Sequence, residues 1–131
     1  LHISKILHPF ADKIRFPLMA LSSKFPSKKI IHILPPPPIK DMKDADFTEV
    51  FQGYFDKFGQ VDSSLRLKWY NSYCWILGRV LGKIGVSVLH APTAALTEEG
   101  FLAVEFAEGL THGNTSYAEL VWQQIKERYL S

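Results

Sequence analysis

Hydrophobic positions change their spacing several times along the chain, and each change predicts an element. Phe10, Ile14, Leu18, Leu21 and Phe25 follow one another close to helical spacing. Pro17 falls inside that stretch and lacks an N–H, which predicts either one kinked helix or two short ones between Phe10 and Phe25. Pro26-Ser27-Lys28-Lys29 breaks the pattern. Ile30-Ile31-His32-Ile33-Leu34 is then a continuous, β-branched run of the kind that fills a buried parallel strand. Pro35 to Pro38 end it and favour polyproline II, so the chain leaves the strand as a stiff arm rather than a tight hairpin.

Past a polar segment, Asp41 to Asp46, the residues Phe47, Val50, Phe51, Tyr54, Phe55 and Phe58 recur at three-and-four spacing and predict an aromatic amphipathic helix. Gly59 is its expected C-cap. Asp62 is the expected N-cap of a long helix from about Ser63 to Ile84, roughly 33 Å at 1.5 Å per residue. Its predicted core stripe is Leu65, Trp69, Tyr73, Ile76, Val80 and Ile84, with Lys68, Ser72, Arg79 and Lys83 opposite. Trp75 falls among those polar residues, where it either stacks under Arg79 or marks a contact with a missing N-terminal part or with another subunit of a homo-oligomer. Gly85 stops the helix and Val86-Ser87-Val88-Leu89 is a second strand, closed by His90-Ala91-Pro92. Strand, long helix, strand reads as a βαβ crossover. An irregular stretch, Thr93 to Thr111, precedes a last helix from about Asn114 to Tyr129, with Asn114 placed to cap it.

Composition narrows the possibilities. The 131 residues are 47% hydrophobic and 21% charged, with a formal net charge of +2 and one cysteine. One thiol forms neither a disulfide framework nor a multi-cysteine zinc site. Fifteen Lys and Arg interspersed with thirteen Asp and Glu give no strong positive field for a phosphate backbone, so nucleic acid is not an expected partner. The most apolar stretch, Tyr73 to Leu89, is interrupted by Arg79 and Lys83, and no membrane span is expected. Two parallel strands leave both sheet edges unpaired, and the chain begins Leu1-His2-Ile3 without Met. The expectation is a single α/β domain over residues 1–131 that is the C-terminal part of something larger.

The candidate chemistry lies late in the chain. Leu96-Thr97-Glu98-Glu99-Gly100-Phe101-Leu102 is followed by Glu108-Gly109-Leu110-Thr111-His112-Gly113-Asn114 and Tyr117. This block resembles the C-terminal block of SGNH (GDSL-type) hydrolases, in which a catalytic Asp, two residues and the catalytic His precede a terminal helix, often with Asn and Tyr after the His. The block Ile30 to Ile39 and the βαβ unit also look like later strands of that family. The resemblance runs in order from about Phe10 to Leu130, with its specificity concentrated in Thr111 to Tyr117. It implies a three-layer, flavodoxin-like α/β fold and ester or acyl hydrolysis, with His112 as catalytic base and no metal or organic cofactor. It also implies an ester of a small molecule, glycan or lipid as substrate.

Residue chemistry fits that role for His112, which is placed between a strand end and a helix N-terminus, where α/β domains assemble sites. The positive end of a helix favours neutral imidazole, the form that accepts a proton. The family's Asp position is Gly109 here, and Glu108 beside it is the candidate substitute, against the plainer reading of a solvated glutamate. His90, near the end of the second strand, and Asn114 are candidate substrate-binding residues. The family's Gly-Asp-Ser block, with the Gly and Asn that complete its oxyanion hole, is not in this sequence, and Ser87 of Gly85-Val86-Ser87 falls inside a strand. The nucleophile is therefore expected upstream, on another chain, or lost, and the rival expectation is a non-catalytic binding or interaction module. No ligand spacing joins His32 and His90 to His112, and Cys74, on the long helix without an adjacent cation, reads as a buried, inert thiol.

Overall fold

Among the described residues four glycines take positive φ, and two of them, Gly85 (φ 73°) and Gly109 (φ 63°), mark the turns that organise the architecture. The computed structural model describes residues 3–44, 53, 56, 57, 59–110 and 112–131. They form two compact units, the first from Leu1–Leu34 and Lys68–His90, the second from Pro35–Leu67 and Ala91–Ser131. Helices, short strands and a small parallel sheet make this a mixed α/β chain. The aromatic helix expected over Phe47 to Phe58 lies outside the described residues, apart from Gly53, Asp56 and Lys57.

In the first unit, helix α1 spans Ile3–Lys24 and runs unbroken through Pro9 and Pro17. It starts earlier than the periodicity predicts, and the stripe that fixes it differs. Leu7 and Ala11 are buried, with Ile14 and Leu18 packed on the same cluster, whereas Phe10, Leu21 and Phe25 are exposed. An apolar residue in a sequence does not say which of two neighbouring helix flanks meets the core.

Helix α2, Ser63–Gly82, begins where predicted. Asp62 Oδ1 accepts hydrogen bonds from Ser64 Oγ and, at 3.2 Å, from the Leu65 N–H, which satisfies donors of the first turn. Those bonds, the Ser64 hydroxyl first, hold the Asp62 carboxyl below its usual range. The far end is a Schellman turn. The Val86 N–H reaches Leu81 O at 3.1 Å and the Gly85 N–H reaches Gly82 O at 3.2 Å, with Gly85 in the left-handed position that such a turn demands. Burial centres on Cys74, Ile76, Leu77, Val80 and Leu81. The expected stripe is thus displaced: Leu65 is exposed, and Trp69, Tyr73 and Ile84 are only partly covered. This helix is apolar around most of its girth, so its packing partners choose the phase. Trp75 is 61% exposed, and the Arg79 guanidinium lies 4.8 Å from its ring centroid, the first of the two arrangements expected for an indole on the polar face.

Strands β1 (Ile31–Ile33) and β2 (Ser87–Leu89) pair in parallel with Ile31 opposite Ser87 and Ile33 opposite Leu89. Parallel neighbours need a crossover, and α2 lies within it. The Leu34 N–H to Leu89 O bond at 3.0 Å and the Ser87 N–H to Ile30 O bond at 3.1 Å extend the ladder at both ends. Leu34 and Leu89 are fully buried, yet Ile33 is 47% exposed. A strand buried on both faces was expected; with two strands in the sheet, one side is left open.

In the second unit the proline arm carries no regular secondary structure up to Ile39, where it ends in pairing rather than a turn. Pro38 O accepts the Leu102 N–H at 3.1 Å, Ile39 bridges Leu102 in parallel, and Leu96 bridges Leu102 from the antiparallel side. Arg66 fixes the arm from another direction: its guanidinium donates to Ile39 O and Lys40 O, both at 2.8 Å. Lys40 also pairs with Glu99 at 2.7 Å on the surface. Three-residue 3-10 turns at Thr93–Ala95 and Val104–Phe106 lead into β3 (Ala107–Glu108), which pairs antiparallel with β4 (His112–Gly113). Helix α3, Thr115–Ile125, follows, and a π turn, Lys126–Leu130, finishes it. Ile39, Ala95, Leu102 and Tyr117 form this unit's core.

Candidate functional site

The segment read as irregular up to Thr111 closes instead on a small hairpin. Glu108 and His112 are direct cross-strand partners, as are Ala107 and Gly113. Directly opposed residues of an antiparallel pair present their side chains on one face, with Cβ atoms about 4.5–5.5 Å apart. Gly109, at φ 63°, turns the chain immediately after Glu108, a conformation that costs a residue with a Cβ about 1–2 kcal/mol. His112 therefore sits in a strand of its own hairpin, two residues before the α3 cap, rather than in the loop that follows a parallel strand. Both Glu108 and His112 are exposed.

Asn114 locks the hairpin to the helix. Its Oδ1 accepts the Tyr117 N–H at 3.1 Å, the N-cap bond predicted from sequence. Its Nδ2 donates to Glu105 O at 2.8 Å and its own N–H donates to Phe106 O at 2.9 Å. One side chain thus ties the 3-10 turn before β3 to the first turn of α3. Gly113 completes the junction: a Cβ there would fall 2.8 Å from Tyr117 Cβ and closer still to the ring. Tyr117 fills the core at 6% exposure, so β4 passes over it only because residue 113 has no side chain.

The second unit brings Glu108, His112 and Asn114 together. His90 belongs to the first unit, directly after β2, and is exposed. His32 lies half-buried on β1, and that burial pushes its pKa below the ordinary value of 6.5. Burial raises the Cys74 thiol, which keeps it protonated and unreactive, as its position on α2 predicts. Among the described residues no cluster of His, Cys, Asp and Glu has the arrangement of a metal site. No helix among them is long and apolar enough to cross a membrane.

Sequence reading missed the hairpin and the Gly113–Tyr117 contact. The signal was present in Glu108-Gly109-Leu110-Thr111-His112, a three-residue span that opens with Gly between two residues able to pair. Strands of two residues are too short to show alternation, and that hid it. No protein-family model, curated protein or solved structure matches this chain.

Proposed function

We propose that the β3–β4 hairpin carries the proton-transfer half of an SGNH-type acyl-transfer site, within a flavodoxin-like α/β domain completed by other polypeptide. The register that sets Glu108 opposite His112 carries this reading. The family's acid would stand at Gly109, a position that here makes the turn. Cross-strand pairing offers a different carboxylate to the same imidazole. In this role Glu108 accepts the N–H of one ring nitrogen and holds the ring. The other nitrogen takes the proton from a serine hydroxyl as its oxygen bonds to the ester carbonyl carbon, then returns it to the leaving alcohol. Water attacks the acyl-enzyme by the same route. The serine and the donors that stabilise the oxyanion come from outside this sequence. Asn114, with both ends of its side chain engaged in the fold, keeps the hairpin in place.

The test combines a serine-reactive fluorophosphonate, read by intact mass, with hydrolysis of a short activated ester. The chain alone is expected to give no adduct and no turnover. In the polypeptide that includes a Gly-Asp-Ser block, His112→Ala should lower kcat by several orders of magnitude with Tm nearly unchanged. Glu108→Gln should lower it about 10- to 100-fold. A stoichiometric adduct on the chain alone, or a fall in Tm with little loss of rate for His112→Ala, overturns the reading.

One observation favours a non-catalytic interaction module as a second reading. Glu108 and His112 are both exposed, and neither lines the grooves beside Trp69, Thr93 or Trp122. Absence of a Gly-Asp-Ser block in the gene upstream of Leu1 would decide for that module.

A further inference from the structure

We propose that the outer face of α1 is a docking surface for an anionic phospholipid bilayer, with the helix lying along the membrane plane. Leu7, Ala11, Ile14 and Leu18 turn toward the first unit's core. On the flank beside them Ile6, Phe10, Lys13, Pro17, Leu21 and Lys24 follow one another at spacings of three or four residues, so they form one stripe. All are exposed, Phe10 to 52%. This apolar flank continues into a groove of about 560 Å³ lined by Leu7, Phe10, Lys13, Ile14, Trp69 and Tyr73.

Charge identifies the occupant. Six of the fifteen Lys and Arg but one of the thirteen Asp and Glu fall within the first thirty residues, leaving nine against twelve in the remainder. The interspersion that holds over the rest of the chain fails here: residues 1–30 carry a net +5 against −3 for the remainder, and the net positive charge lies on α1 and the Lys28-Lys29 turn. Lys13 Nζ lies 5.5 Å from the Phe10 ring centroid and Lys24 Nζ 5.7 Å from that of Phe25. An aromatic ring with an ammonium beside it suits the boundary between acyl chains and headgroups: the ring enters the apolar layer, and the flexible cation stays among the phosphates. A second copy of the same basic face would repel it. Nucleic acid would leave Ile6, Leu21 and the groove without an apolar partner.

The experiment is co-sedimentation of the 131-residue chain with phosphatidylcholine vesicles, with and without phosphatidylserine, at about 0.1 M salt. Binding is expected only with phosphatidylserine present, with a blue shift of tryptophan fluorescence that persists in W75F/W122F, where Trp69 is the one indole left. A lysine at an anionic leaflet contributes about a fivefold factor, so K13Q/K24Q should weaken binding about 25-fold. F10S/L21S should weaken it at least tenfold, and K126Q/R128Q, which removes the same charge from the second unit, should leave it unchanged. These side chains are exposed, and circular dichroism checks that each variant keeps its fold. Equal binding to neutral vesicles, no binding at all, or an equal loss with K126Q/R128Q overturns the proposal. So does binding to an RNA oligonucleotide that is as tight as to vesicles and indifferent to F10S/L21S, or a dimer in sedimentation that F10S/L21S abolishes.

Discussion

Replacing Gly113 by alanine adds one methyl group at the point where β4 crosses Tyr117. That methyl would lie 2.8 Å from Tyr117 Cβ, an atom fixed to the α3 backbone that no rotamer change moves away. The first turn of α3 or the hairpin must shift. Overpacking of this kind costs about 1–3 kcal/mol. The reduced freedom of the unfolded chain returns about 0.4–1 kcal/mol, since residue 113 is not at positive φ and alanine suits its extended backbone. With three Tyr117 atoms inside 3.0 Å the cost lies in the upper half of that range, so the net expectation is a loss of about 1–2.5 kcal/mol, or about 3–10 °C in Tm for a domain of this size. Gly78→Ala serves as the opposite case. It lies inside α2, a Cβ there meets nothing within 4 Å, and the exchange should stabilise by about 0.5–1 kcal/mol. Thermal and urea unfolding followed by circular dichroism measures both. If Gly113→Ala lies within about 0.5 kcal/mol of the parent or above it, Tyr117 is not held as described and the hairpin's seat on α3 is wrong.

Asn114→Ala should cost about 1–2 kcal/mol, and Asn114→Asp less, because it keeps the cap acceptor while losing the donor to Glu105 O; equal losses for the two would mean that the cap bond is not what matters. Cys74 should resist an aromatic disulfide reagent in the native chain and react stoichiometrically in urea, and rapid native labelling would contradict its burial. His32 is harder to protonate folded than unfolded, so its contribution is complete above pH 6.5 and is lost as pH falls below that toward the folded value. The urea midpoint should therefore drop between pH 7.5 and 5, and His32→Gln should flatten that drop; Asp62, shifted down from 3.8, titrates below this window. An unaltered slope in His32→Gln would assign the effect elsewhere.

Elements with strong punctuation were legible from sequence. Asp62 and Gly85 bracket α2 because a side-chain acceptor and a left-handed residue each satisfy helix ends in a way few other residues do. The β-branched runs around Ile31 and Val88 announced two strands, and the α2 segment between them announced their parallel pairing. Which side of each helix is buried was not legible. Phe10 and Leu65 look like core residues and are exposed, because both helices carry apolar side chains on more than one flank. At the candidate site, Asn114 was found through its capping chemistry, whereas the Glu108–His112 register depends on a strand pairing too short to leave a period.

The units interleave along the chain, with the first resuming at Lys68 after the second has begun at Pro35. A ribosome therefore releases the first unit whole once His90 has emerged, while Pro38 and Ile39, made long before, still wait for Leu102 and Tyr117. At about 5–20 residues per second that wait lasts on the order of several seconds. The prolines at 35–38 and the Arg66 clamp on Ile39 O and Lys40 O offer this early strand a way to stay extended until its partner arrives. No single cut in the polypeptide separates the units, so shortened versions ending between His90 and Leu102 should yield a folded first unit that carries an unsheltered apolar segment at Pro38 and Ile39, and should be prone to aggregate.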